Sequence, residues 1–302
     1  MSDHLLLSAI HEGDRKALAR AITLVENESS GYEKILADLS MHHVPVIGFT
    51  GPPGSGKSSL INKLIELLSS ASKKTAVLAV DPTSPFNYGS LLGDRLRMSE
   101  HFNDPNIFIR SVATRGSLGG LSEKTIEITD VLRSANFDYI IIETVGVGQS
   151  EVEIAGLADT TVVVNVPESG DEIQTMKSGI MEIADVFVVN KCDRPGADMI
   201  ENNLRKYFAH PRSSGWKVPV VKTSATQNIG ISELQEHINE HLQSAGINEK
   251  RIFLFAEKAW RLIQKNRMES FDKKKLMEEI KQESQKAGFN LYRFIADRNI
   301  KH

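Results

Sequence analysis

Residues 51–58 read Gly-Pro-Pro-Gly-Ser-Gly-Lys-Ser, a G-x-x-x-x-G-K-[ST] phosphate loop. Such a loop restricts the fold because it works only between a buried strand and the first turn of a helix. Both flanks are present. Val44-Pro45-Val46-Ile47-Gly48-Phe49 is an apolar run of the kind found in parallel strands buried on both faces. Ser59 to Leu68 carries apolar residues at 60, 61, 64, 65, 67 and 68, a helix whose N-terminus points at the anion. Glycines let the loop turn its N–H groups inward around phosphate without a Cβ in the way. Gly51, Pro52, Pro53, Gly54, Ser55, Gly56, Lys57, Ser58 and Ser59 are therefore expected to hold a triphosphate. Lys57 supplies charge to the β- and γ-phosphates, and Ser58 a hydroxyl to Mg²⁺.

A second motif, Asn190-Lys191-Cys192-Asp193, follows the apolar strand 184–189. That places it at a strand's carboxyl end, where open α/β sheets bind ligands. The Asp193 carboxylate can accept hydrogen bonds from guanine N1–H and the exocyclic amine. Adenine offers neither, and an unsatisfied carboxylate costs about 1–3 kcal/mol or more. Val218 to Val221 leads into Thr223-Ser224-Ala225, so Ser224 and Ala225 are placed to offer a backbone N–H to guanine O6. The expected ligands are GTP and GDP.

Two further strands end in carboxylates: Thr75–Val80 runs into Asp81, and Asp138–Ile142 into Glu143. Mg²⁺ prefers oxygen ligands and takes one or two carboxylates beside the phosphates. Ser58, Asp81, Asp94 and Glu143 are the metal-site candidates. Gly146 can present its N–H to the γ-phosphate, so 144–151 is expected to reorder when that phosphate leaves. Lys57, Glu143, Gly146 and Gln149 form the expected catalytic set, although no spacing fixes the direction of Gln149. Phosphoryl transfer is mostly positioning and charge stabilisation, so slow, partner-stimulated turnover is expected.

Residues 45–246 alternate strands near 45–50, 75–80, 107–110, 138–142, 160–166, 185–189 and 218–222 with amphipathic helices. That rhythm predicts an α/β fold with a mainly parallel sheet and helices on both faces. The stretches 82–93 and 114–120 interrupt it with Gly/Pro loop chemistry. Residues 1–44 read as a helical hairpin covering part of the core, with a turn at 27–31. Residues 247–302 read as a helical arm suited to self-association. A net charge of −3 leaves no basic excess for nucleic acid, and no apolar run is long enough to cross a bilayer. The acidic start lacks a signal pattern, and one cysteine among 302 residues fits a reducing cytoplasm. Cys192 reads as packing within its motif.

Several longer strings carry a resemblance. Gly13 to Thr23, Ala79 to Ser84, Gly93-Asp94-Arg95, Thr114 to Gly120, and Glu143-Thr144-Val145-Gly146-Val147-Gly148-Gln149-Ser150-Glu151 resemble the MeaB/ArgK family in the same order. These are GTPase chaperones of adenosylcobalamin-dependent acyl-CoA mutases. The resemblance implies a P-loop NTPase of SIMIBI type with N- and C-terminal helical extensions, usually a homodimer. It implies GTP hydrolysis coupled to loading of cobalamin onto methylmalonyl-CoA mutase or a relative, and protection of that enzyme. Asp171, Glu172, Gln174 and Lys177 match the family's mobile third switch and become candidates for coupling to the mutase. Pro167-Glu168-Ser169 departs from the small residues common in members, and Ser178 from a second lysine. A D-x-H-x-x-G corrinoid motif is absent. Two alternatives stay open: a nickel-enzyme maturation GTPase, which would need Cys/His ligands beyond Cys192, and a transport-associated kinase.

Overall fold

A computed structural model of the 302-residue chain describes residues 3–81, 98–113, 124–146, 150–169, 178–212, 215–244, 249–268, 273–285, 290–292 and 294. Seven strands form one sheet: β1 (Val46–Thr50), β2 (Thr75–Asp81), β3 (Ile107–Ala113), β4 (Tyr139–Glu143), β5 (Thr160–Asn165), β6 (Val186–Val189) and β7 (Val220–Lys222). Their order is β3-β2-β4-β1-β5-β6-β7, and every pairing is parallel. The expected α/β class is thus borne out. Burial explains the composition of the strands: β1, β2, β5 and β6 are buried at every position, as a sheet covered on both faces requires.

Helices occupy both faces. The phosphate-loop helix α4 (Lys57–Ser70) buries Leu60, Ile61, Leu64, Ile65 and Leu68 against Ile47, Phe49, Ile141, Val162 and Val186. On the other face Gly48 lies under α6 (Ser150–Leu157), whose Ile154 fills the space a Cβ would need. The helix α5 (Thr125–Arg133) covers β4 on that side. Further along come α7 (Ser178–Ile183), α8 (Ala197–Tyr207) and α9 (Ile231–Ser244), the last contributing Ile231, Leu234 and Ile238 to the α4 core.

Three helices precede the sheet: α1 (Asp3–His11), α2 (Arg15–Glu26) and α3 (Tyr32–Ala37). Asp14 caps α2, its carboxylate accepting from the N–H groups of Lys16 and Ala17 at 2.7 and 3.1 Å. Either side of the turn expected at 27–31, the hairpin read within 1–44 corresponds to α2 and α3. The helix α1 adds to it and buries Leu6 and Ile10, one turn apart.

The chain divides into two compact units, Met1–Ile252 and Phe253–His302, with the boundary inside α10 (Glu249–Met268). The second unit holds the rest of α10 and α11 (Lys273–Glu283). No described helix is long and apolar enough to cross a membrane.

Candidate nucleotide site

Three of the motifs meet at the carboxyl ends of the central strands. The phosphate loop leaves β1, which lies between β4 and β5. Gly56, at φ +88°, starts α4, so Lys57 and Ser58 occupy the helix's first turn. Both are buried. The Lys57 Nζ donates to the carbonyls of Gly51 and Pro52 at 2.9 and 3.2 Å. The ammonium is therefore held over its own loop, at the place where it would meet phosphate oxygens.

Ser58 Oγ donates to Glu143 Oε1 at 2.7 Å. Register explains the meeting: Glu143 is the last residue of β4, opposite Phe49 on β1 and Ala79 on β2. Asp81 closes β2 two residues further on, and both carboxylates are almost wholly buried. A hydroxyl and two buried carboxylates around a phosphate loop are a hard-oxygen donor set, which fits Mg²⁺.

Gly146 presses against this end from the loop after β4. A Cβ there would lie 2.3 Å from the Gly51 carbonyl oxygen and 2.8 Å from Lys57 Nζ. With φ at +85° as well, position 146 excludes any side chain. Thr144 anchors the same loop through its backbone N–H to Phe49 O and its hydroxyl to Thr50 Oγ1, both at 3.0 Å.

The second motif reaches the loop from the opposite side. Asn190 Nδ2 donates to the Ser55 carbonyl at 2.8 Å, and Lys191 Nζ to the Gly54 carbonyl at 2.8 Å. Asn190 also accepts from Thr223 Oγ1 at 3.0 Å, and its own N–H donates to Asn165 O at 2.7 Å. A Cβ on Gly56 would stand 2.4 Å from Asn190 Nδ2, so the glycine is what allows that approach. Asn190 thus struts the phosphate loop against the β7 loop.

Asp193 stands apart from this packing. Its carboxylate is exposed and accepts from Ser224 Oγ at 2.7 Å. That hydrogen bond, with help from Asp193's own backbone N–H, holds the carboxyl below the usual range, so it stays ionised at neutral pH. Ala225, next to Ser224, is buried and opens a 3-10 turn. Cys192 is half-buried, and burial pushes its thiol up, away from reactivity.

Of the residues expected to bind or catalyse, Asp94, Gln149, Asp171, Glu172, Gln174 and Lys177 lie outside the described residues, as do the loop stretches 82–93 and 114–120. Three neighbours were not anticipated from the sequence. Thr223 orients Asn190, and Arg194 forms an ion pair with Glu168, joining the loop after Asp193 to the turn after β5. Asn165, fully buried at the end of β5, has neither amide atom hydrogen-bonded. A polar residue ending the apolar run Thr160–Asn165 was the available signal for it.

Comparison with known proteins agrees with this arrangement. Residues 18–279 match the family model for the methylmalonyl Co-A mutase-associated GTPase MeaB. A putative GTPase of Pyrococcus abyssi is 46% identical over 282 residues, covering 91% of this chain and 82% of that protein. The mouse methylmalonic aciduria type A homolog, a mitochondrial protein, is 36% identical over 294 residues, covering 88% of this chain and 70% of its own length. Among solved structures, a LAO/AO transport system kinase superposes with a TM-score of 0.69 at 25% identity, covering 89% of this chain and 84% of that one. The chain belongs to the MeaB family of P-loop GTPases.

Proposed function

We propose that this MeaB-family chain binds and hydrolyses GTP and uses the cycle to gate adenosylcobalamin loading onto an acyl-CoA mutase, methylmalonyl-CoA mutase or a relative. The observation that carries the nucleotide half is the link from Asn190 to the Ser55 carbonyl, beside an ionised Asp193. It joins a group suited to the guanine edge to the loop suited to the phosphates. The mutase half rests on family membership.

In this reading Asp193 accepts from guanine N1–H and the 2-amino group while Ser224 keeps the carboxylate oriented. Lys57 exchanges its two loop carbonyls for β- and γ-phosphate oxygens, a charge-assisted and therefore stronger pairing. Ser58, with Glu143 and Asp81, would hold Mg²⁺, which neutralises charge between the β- and γ-phosphates. The Gly146 N–H faces the γ-phosphate, and the segment that begins there carries Gln149 as candidate for orienting water. Asp94 is a further candidate metal ligand. Asp171, Glu172, Gln174 and Lys177 are proposed to pass the state of the nucleotide to the mutase.

Self-association belongs to the same proposal. Ile252, Phe253, Phe255, Trp260 and Ile263 of α10 are exposed, more apolar surface than a solvated helix normally shows. A second copy of the chain is the proposed cover. The deciding measurement is phosphate release from GTP with and without purified acyl-CoA mutases. Slow release alone, stimulated by one mutase, is expected. Asp193→Asn should lose about tenfold to hundredfold in GTP affinity while leaving ATP unchanged. Phosphate transferred to a protein acceptor, in place of free phosphate, would favour a transport-associated kinase.

A further inference from the structure

Beyond the phosphate loop, α4 takes part in a second cluster of ligating atoms. Glu66 follows Ser58 by eight residues, about 12 Å along the helix at 1.5 Å per residue. Glu100 and His101 come from the 3-10 turn Ser99–His101, which follows residues 82–97. One ligand atom from each of Glu66, Glu100 and His101 lies within 4.8 Å of the others.

Two neighbouring atoms lack the partners that burial demands. His101 is only 7% exposed, yet its Nε2 has no hydrogen bond and faces Glu100 Oε1 at 3.8 Å. Asn62, one turn before Glu66 on α4, donates through Nδ2 to Glu100 Oε1 and leaves its buried Oδ1 unsatisfied. Orphaned buried nitrogen and oxygen atoms are uncommon and call for an explanation, a missing ion among them.

We propose that Glu66, Glu100 and His101 bind a divalent transition-metal ion of the zinc class, stapling α4 to the Ser99–His101 turn. Imidazole beside carboxylates suits zinc and its neighbours, whereas magnesium and calcium prefer oxygen alone. Donors about 2.0–2.2 Å from one ion at tetrahedral angles stand about 3.3–3.6 Å apart, so a cluster within 4.8 Å must draw in by about 1 Å. The two glutamates can supply that movement by changing rotamer, because their side chains are 44% and 58% exposed. Their two negative charges match the ion's. Lys63, which pairs with Glu66 at 2.8 Å, is the group the metal displaces. Asn62 Oδ1 or water completes the four ligands after an amide rotation.

The test is calorimetric titration of the full chain with Zn²⁺, carried out with GDP and Mg²⁺ in excess so that the nucleotide site is filled. One equivalent of zinc should bind to the wild type and to Cys192→Ser. Glu66→Gln and Glu100→Gln, both at exposed positions and compatible with folding, should each weaken it at least tenfold. Cobalt(II) in the same place should give d–d absorption without a thiolate charge-transfer band. The proposal is overturned if the wild type takes up no zinc, or if both glutamine variants bind it as the wild type does.

Discussion

At the phosphate end of the cleft, Lys57, Ser58, Asp81 and Glu143 are all buried and Gly146 has no room for a methyl group. At the base end, Asp193 stands in solvent, steadied by the Ser224 hydroxyl. The contrast separates two tasks. Phosphates are shared by every nucleoside triphosphate, so a site for them gains by being buried, where charge is screened least. The base must be distinguished from rivals, and under the proposed function one ionised carboxylate would do this without a core of its own. Asn190 is the connection between the two.

The largest effect should come from Lys57→Ala. With the ammonium gone, hydrolysis should fall by about 100-fold to 1,000-fold or more, while the protein stays folded. Steady-state phosphate release beside a thermal melt checks it, and retained turnover would remove Lys57 from the catalytic set. Asn190→Ala should be intermediate and should blur the division. It strips the donor from Ser55 O and the acceptor from Thr223, a loss of about 1–3 kcal/mol. GDP and ADP should then weaken together, by tenfold or so. A loss confined to GDP would mean that Asn190 acts on the base and not as a strut.

Ser224→Ala should do least. It removes the hydrogen bond that holds the Asp193 carboxyl below its usual range. Guanine pairing needs the ionised form, so affinity is full above the ordinary carboxylate range and is lost as pH falls through the depressed value. Without Ser224 that acid limb moves to higher pH; at neutral pH, where the carboxylate is ionised in both proteins, GDP affinity drops a few-fold through lost orientation alone. Carboxyl NMR titration of Asp193 in the two proteins would measure the shift, and an unmoved titration would show that the hydroxyl does not govern this carboxylate.

Much of this was legible in the sequence. All seven strands fall where the apolar runs placed them, because a parallel sheet covered on both faces leaves an uninterrupted hydrophobic signature. Only β3 runs clearly longer than its apolar stretch. It is an edge strand, and Arg110 within it donates through Nη2 to Glu26 and Thr23 of α2 at 2.7 and 3.1 Å. A charge answered from another helix cannot be foreseen from the strand alone. The helix α1 was hidden for a related reason: Leu5, Leu6 and Leu7 show no period, and only Leu6 and Ile10 are buried. The motifs announced the candidate site, but not the bonds between them. That Lys191 reaches Gly54 and Asn190 reaches Ser55 depends on distances that only the folded sheet sets.

Gly146 sits close enough to Gly51 and Lys57 that the loop after β4 acts as one wall of a mould whose other wall is Asn190. Under the proposed function, walls fixed by the packing of the scaffold would leave a nucleotide little binding energy to spend on shaping its pocket. On the same proposal, this closeness would couple the departure of the terminal phosphate to the start of the loop after β4. In the proposed cycle, a shift at Lys57 would press on the backbone of residue 146.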